Sequence, residues 1–160
     1  MAVDILLKIE GVDGESVIDS HEGEIDVLSW SWGMTQSGSM HIGGGGGSGK
    51  VNMTDVSLTK YVDKASTNLM RACCNGEHLK KAILTVRKAG KNPVDYMVIT
   101  MEPILVTSVS TGGSGGEDRL TENVSLTFAK VKVGYTPQKP DGTADAAIEL
   151  TWNVEKNIEE

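Results

Sequence analysis

The chain has 160 residues, only seven of them aromatic, and a formal net charge of -7. That length suits one domain, expected to span 1–160, with a single hydrophobic core that needs no staples. The acidic balance, with no run of Lys or Arg, excludes nucleic acid as the main partner, because phosphate binding requires concentrated positive charge.

Val3, Ile5, Leu7 and Ile9 alternate with Asp4, Leu6, Lys8 and Glu10, which predicts a half-buried strand ended by a turn at Val12-Asp13-Gly14-Glu15. A polar segment follows from Ser16 to Glu22. Next comes a strand organised by tryptophan: Leu28, Trp30, Trp32 and Met34 share one side, and Ser29, Ser31 and Gly33 the other. The first side is expected to pack and the second to be small and polar. From Ser37 to Lys50 the chain is a glycine-rich arm, and the run Gly43–Gly47 loses more entropy on ordering than any other residue type, so a contact outside the domain is expected to order it. Val51 and Met53 then set one parity while Val56, Leu58 and Val62 set the other, which predicts a bulge at Thr54-Asp55.

Asp63 to Gly76 is the one good helix, with Ser66 or Asp63 as cap, Leu69, Met70, Cys73 and Cys74 on its packing side, and Asn75-Gly76 as a left-handed stop. Both thiols are expected to be reduced and buried. Strands resume at Ala82, Leu84 and Val86, and Val94 to Ser110 follows as a long strand apolar on both sides, with Pro103 marking an edge or bulge. Its second side needs another sheet or another subunit to cover it. A second glycine segment leads into Leu120, Val124, Leu126 and Phe128, the pattern flips at Val131, Val133 and Tyr135, and Ile148, Leu150, Trp152 and Val154 form the last strand. Seven or eight strands and one helix predict a mainly β fold, a small antiparallel β-barrel of two packed sheets with one flanking α-helix.

Several stretches look chemical without meeting the chemistry's needs. Gly44 to Lys50 approaches a phosphate-binding loop, but Val51 replaces the magnesium-binding Ser/Thr and a strand follows where a helix N-terminus is needed. Gly112 to Gly116 matches the nucleophile elbow around Ser114, yet His21, His41 and His78 all precede it. Cys73, Cys74 and His78 lack a second ligand cluster for a metal. No catalytic, cofactor or metal site is therefore expected. No window suggests a membrane span or a secretory signal, so the chain is expected to stay in the cytoplasm or to leave it by a route that needs no such signal.

Three stretches together resemble a known family: Met1-Ala2-Val3-Asp4 opening a strand, Ser29 to Gly33 followed by Ser37-Gly38-Ser39 and the pentaglycine, and Ser110 to Val124. The chain is similar, from Met1 to about Asn157, to the haemolysin-coregulated proteins (Hcp) of bacterial type VI secretion systems. The resemblance implies a non-enzymatic structural protein that forms six-membered rings, stacked into a tube inside a contractile sheath. It also implies effectors, sheath, baseplate and spike proteins as partners, and release to the extracellular space or a target cell without a signal peptide. On that reading Ser29 and Ser31 line the lumen. His41, Ile42, Gly43, Gly44, Gly45, Gly46 and Gly47, with Ser114, Glu117, Asp118 and Arg119, make ring or stacking contacts. The competing readings are a monomeric small-ligand-binding β-barrel and a hydrolase built on Ser114.

Overall fold

A computed structural model describes residues 3–37 and 49–160. In chain order the elements are β1 (Val3–Ile9), β2 (Ile25–Asp26), β3 (Ser29–Ser31), β4 (Met34–Gln36), β5 (Val51–Met53), β6 (Val56–Tyr61), α1 (Ser66–Asn75), β7 (His78–Leu79), β8 (Ala82–Lys88), β9 (Val94–Gly112), β10 (Thr121–Tyr135), β11 (Ile148–Asn153) and β12 (Ile158–Glu159). Among the described residues all pairings are antiparallel and the fold is mainly β with one helix, as the alternation predicts.

The strands divide unequally within this class: ten belong to one hydrogen-bonded network in the order β12-β11-β10-β9-β8-β1-β2, with β6 on β10, β3 on β6 and β7 on β9 as branches, and β4-β5 form a separate pair. Among the described residues the main ladder β12 to β2 does not itself close on its own edge. The segment from Ile25 to Ser31 instead bridges its two ends, pairing with β1 through Ile25 and Asp26 and with β6 through Ser29 to Ser31. Within that bridge Val27 N–H donates to the Ile5 carbonyl and Leu28 N–H to the Thr59 carbonyl. A curved sheet bridged in this way encloses a core of Leu7, Ile25, Val56, Leu58, Leu84, Ile99, Met101, Ile104, Val124 and Leu126.

The long hairpin β9-β10 explains the strand that is apolar on both sides. Its buried residues are Ile99 and Met101, then Ile104 and Val106, while β10 buries Glu122, Val124 and Leu126, then Val131. The side turned to the core therefore changes parity in both strands across the Pro103 region, although the pairing there keeps its register from Lys130↔Glu102 to Phe128↔Ile104. The register slip lies further on, between Ser125 and Leu126. Pro103, which has no N–H to donate, is exposed between the stretches of β9 paired to β8 and to β7.

The tryptophan strand is shorter than its alternation suggests. Trp30 and Trp32 pack partly buried against the core, with Trp32 edge-on to Phe128 at 5.9 Å, but Leu28 and Met34 are each 45% exposed. The ladder breaks after Ser31: Ser31 pairs with Ser57, whereas Met34 pairs with Met53, one residue out of step. That step is the irregularity expected at Thr54-Asp55. It is held by Thr54, whose N–H donates to the Gly33 carbonyl at 2.9 Å and whose hydroxyl accepts from Gly33 N–H at 3.0 Å.

Helix α1 stops where Asn75-Gly76 predicts, with Gly76 at φ 67° and its N–H donating to the Ala72 carbonyl. It starts later than predicted, after Ala65. Asp63 and Ser66 both act there: Ala65 N–H donates to Asp63 Oδ1, and Asp63 N–H donates to Ser66 Oγ, each at 3.0 Å. Ser66, Leu69 and Ala72 face the core. Cys73 is half-buried and Cys74 exposed, which corrects the expectation of two buried thiols: the i, i+3, i+6 stripe through Ala72 leaves residue 74 on the solvent side.

Candidate functional site: an uncharged polar face over a buried ion pair

On the outward side of β3, β6, β10 and β9 the registers stack small polar side chains into two rows. Ser29 pairs with Thr59, Thr59 with Asn123 and Asn123 with Ser110. The next row runs Ser31, Ser57, Ser125, Ser108. Between them Trp30, Leu58, Val124 and Val109 point the other way, toward the core. Every side chain in the two rows is exposed or half-buried, and none is ionisable. Thr59 Oγ1 donates to Asn123 Oδ1 at 2.8 Å across the strands. The rows are bounded at one end by Asp55, which accepts from Thr107 Oγ1 at 2.7 Å, and at the other by Tyr61, whose ring lies 3.8 Å under the Arg119 guanidinium.

The other side of the same strands holds the most unusual chemistry of the chain. Lys60 and Glu122, register partners one residue along from Thr59 and Asn123, are both fully buried. Lys60 Nζ donates to Glu122 Oε1, to Asp63 Oδ1 at 2.9 Å and to Ser66 Oγ at 3.3 Å, using all three of its protons. Ser66 Oγ donates to Glu122 Oε1 at 2.6 Å, which ties the start of α1 to β10. Lys60 shares its parity with Val56 and Leu58, so alternation places it inward, and the carboxylates that meet it make that burial tolerable. Nearby on β2, the Asp26 carboxyl is raised above its ordinary value, first by partial withdrawal from water and then by Asp63, Asp4 and Glu15, against the lowering effect of Arg119.

Of the residues singled out in the sequence, Ser29 and Ser31 are brought together on the polar face. Ser114, Glu117, Asp118 and Arg119 lie exposed in the β9-β10 connection, where Glu117 N–H donates to the Ser114 carbonyl at 3.2 Å. His41, Ile42 and Gly43 to Gly47 lie outside the described residues. Sequence reasoning missed Ser57, Thr59, Ser108, Ser110, Asn123 and Ser125. Their signal was present as small polar residues at every second position of three separate strands, but only the registers show that the three lie side by side. Ser114 sits in a strand-to-strand turn, not the strand-to-helix turn a nucleophile elbow needs. Among the described residues no group of three His, Cys, Asp or Glu side chains could hold a metal, and no helix is long and apolar enough to cross a membrane.

Comparison with known proteins agrees with this architecture. A family model described as "Type VI secretion system effector, Hcp" matches residues 6–135. Protein hcp1 of Pseudomonas aeruginosa is 60% identical over 161 residues, covering 99% of each chain. The crystal structure of Hcp1 from Salmonella typhimurium superposes over 100% of both chains at 41% identity with a TM-score of 0.83. A structure described as a type six secretion system protein, at 29% identity, covers 99% of this chain and 100% of its own with a TM-score of 0.93. The chain thus belongs to the Hcp family of type VI secretion system proteins.

Proposed function

We propose that the chain is a structural tube subunit, acting as one Hcp-like unit over 1–160 with its glycine-rich arm at about 37–50. Six copies form a ring, rings stack into the inner tube of the secretion system, and effectors travel in the lumen. The subunit does this without catalysis and is released to the extracellular space or a target cell together with the tube. Sheath, baseplate and spike proteins are its other partners.

The observation that carries this reading is the two-row face of Ser29, Thr59, Asn123, Ser110 and Ser31, Ser57, Ser125, Ser108. An outer sheet surface without charge and without large apolar groups neither packs against a neighbour nor repels a passenger, which suits a lumen lining. A second feature favours association of copies. Trp152, Leu150 and Ile148 stand opposite Val131, Val133 and Tyr135, continuing the core side of β10 onto β11. Along that line the sheet runs off the core: Trp152 is half-buried, Leu150 37% exposed and Ile148 67% exposed, with Tyr135 at 45%. A different face of a second copy covers this overhang, the heterologous contact that a ring requires. The arm and the Ser114 to Arg119 turn supply further contacts within or between rings.

The test is export. A bulky Ser31→Trp substitution should leave the ring's native mass unchanged and strongly reduce the proteins released with it. Unchanged release of those proteins would remove Ser31 from the lumen.

A further inference from the structure

The lumen reading leaves open what in this face distinguishes one passenger from another. Seven of the eight side chains in the two rows are hydroxyls of Ser29, Ser31, Ser57, Thr59, Ser108, Ser110 and Ser125. A hydroxyl rotates to suit its partner and serves as donor or acceptor with equal ease. Such groups make a face wettable but select little. The eight side chains add no selection by charge, since none is ionisable and the charged Asp55 and Arg119 stand only at the ends of the rows.

Asn123 is the exception. Its amide has one edge that only accepts and one that only donates. Thr59 Oγ1 donates to its Oδ1 at 2.8 Å, so the accepting edge is occupied within the face. Among the described residues Nδ2 donates to nothing, and the side chain is exposed. The residue is also held firmly from behind: its neighbour Glu122 is fully buried and bonded to Lys60 and Ser66, so the backbone that carries Asn123 is anchored at that point.

We propose that Asn123 is a specificity-determining residue of the lumen face: with Thr59 holding its amide oxygen, it presents a fixed N–H donor to carbonyl or carboxylate oxygens on the surface of the passenger protein. This rests on the lumen reading and adds to it a directional element that the hydroxyls lack. A ring would repeat the donor once per subunit, so a passenger with several acceptor oxygens at matching positions is retained by multiplicity while each contact stays weak enough to release.

The experiment uses full-length chains in secretion-competent cells lacking the native copy, and its probe is the set of proteins released with the chain, quantified by mass spectrometry. Native mass is the control for ring assembly. Asn123→Asp keeps the shape and the acceptor for Thr59 but removes the donor, and Asn123→Ser makes the position one more hydroxyl. Both should lower the co-released proteins about tenfold, the equivalent of about 1.4 kcal/mol. Thr59→Val, which frees the amide to turn, should lower them by a smaller factor. Wild-type release from Asn123→Asp together with loss from Asn123→Ser would overturn the donor assignment in favour of an acceptor. Wild-type release from both, with Ser31→Trp still blocking export, would overturn the role of Asn123 and leave the lumen reading standing. Wild-type release from Ser31→Trp as well would overturn both.

Discussion

Replacing Lys60 by methionine tests the packing logic of the fold at its most charged point. The ammonium is fully buried and donates to Glu122, Asp63 and Ser66, so its removal leaves Glu122, also fully buried, with no cation beside it. Glu122 Oε2 already has no hydrogen-bond partner among the described residues, and after Lys60→Met only Ser66 Oγ, at 2.6 Å, supports the carboxylate. Breaking a buried pair from one side costs about 3–5 kcal/mol, whereas replacing both members by apolar residues of similar volume is often neutral or stabilising. Lys60→Met should therefore be destabilised by about 3–5 kcal/mol. Lys60→Met/Glu122→Leu should recover more than half of that loss, while Asp63 keeps its bond from Ala65 N–H. The assay is guanidinium unfolding followed by circular dichroism at one fixed protomer concentration, because assembly into the proposed ring would make stability depend on concentration. A Lys60→Met loss below about 1 kcal/mol, or a double variant as unstable as the sum of the two singles, would refute the account of a high-stakes buried pair.

Other outcomes follow from single positions. Gly14 passes so close to the Glu24 carbonyl that a Cβ would meet backbone rather than a movable side chain, so Gly14→Ala should lower stability by about 1–3 kcal/mol, read as a lowered denaturant midpoint with an unchanged slope. Asp26 has a folded-state value raised above its ordinary 3.8, so the folded state binds its proton more tightly and stability falls as pH rises from that value through the raised one. Asp26→Asn should accordingly stabilise the chain at neutral pH, and the gain should vanish in acid as the wild-type carboxyl is protonated; a gain independent of pH would contradict this. Leu150→Arg should shift native mass from ring toward monomer while the circular dichroism spectrum stays β-rich, and an unchanged ring would take the β11 overhang out of the interface.

The elements that could be read from the sequence are those in which one physical rule acts alone. Alternation marks where β1 and β8 run, although Leu6 and Thr85, on the side expected to face solvent, are buried too, and Asn75-Gly76 stops α1 because Gly76 adopts the left-handed conformation there. Rules that depend on distant partners were not legible. Lys60 shares its parity with the buried Val56 and Leu58, but the partner that makes its burial tolerable appears only when β10 brings Glu122 opposite it. Leu28 reads as core until the chain crosses from β1 to β6 and buries Val27 in its place. The apolar residues on both sides of β9 read as two buried faces. The fold resolves them partly into one core side that switches parity at Pro103 and switches back at Thr107, where the register slips, and partly into half-exposed Tyr96, Val98 and Leu105. The polar face was legible at Ser29 and Ser31 alone, since its other six members depend on three inter-strand registers.

The central claim is that copies of this subunit close into a ring, and native mass spectrometry of the purified chain on serial dilution tests it most directly. A six-membered ring predicts a species at six times 17.0 kDa, about 102 kDa, that persists on dilution. A stable monomer at 17.0 kDa across the dilution series would contradict the ring and the lumen that depends on it.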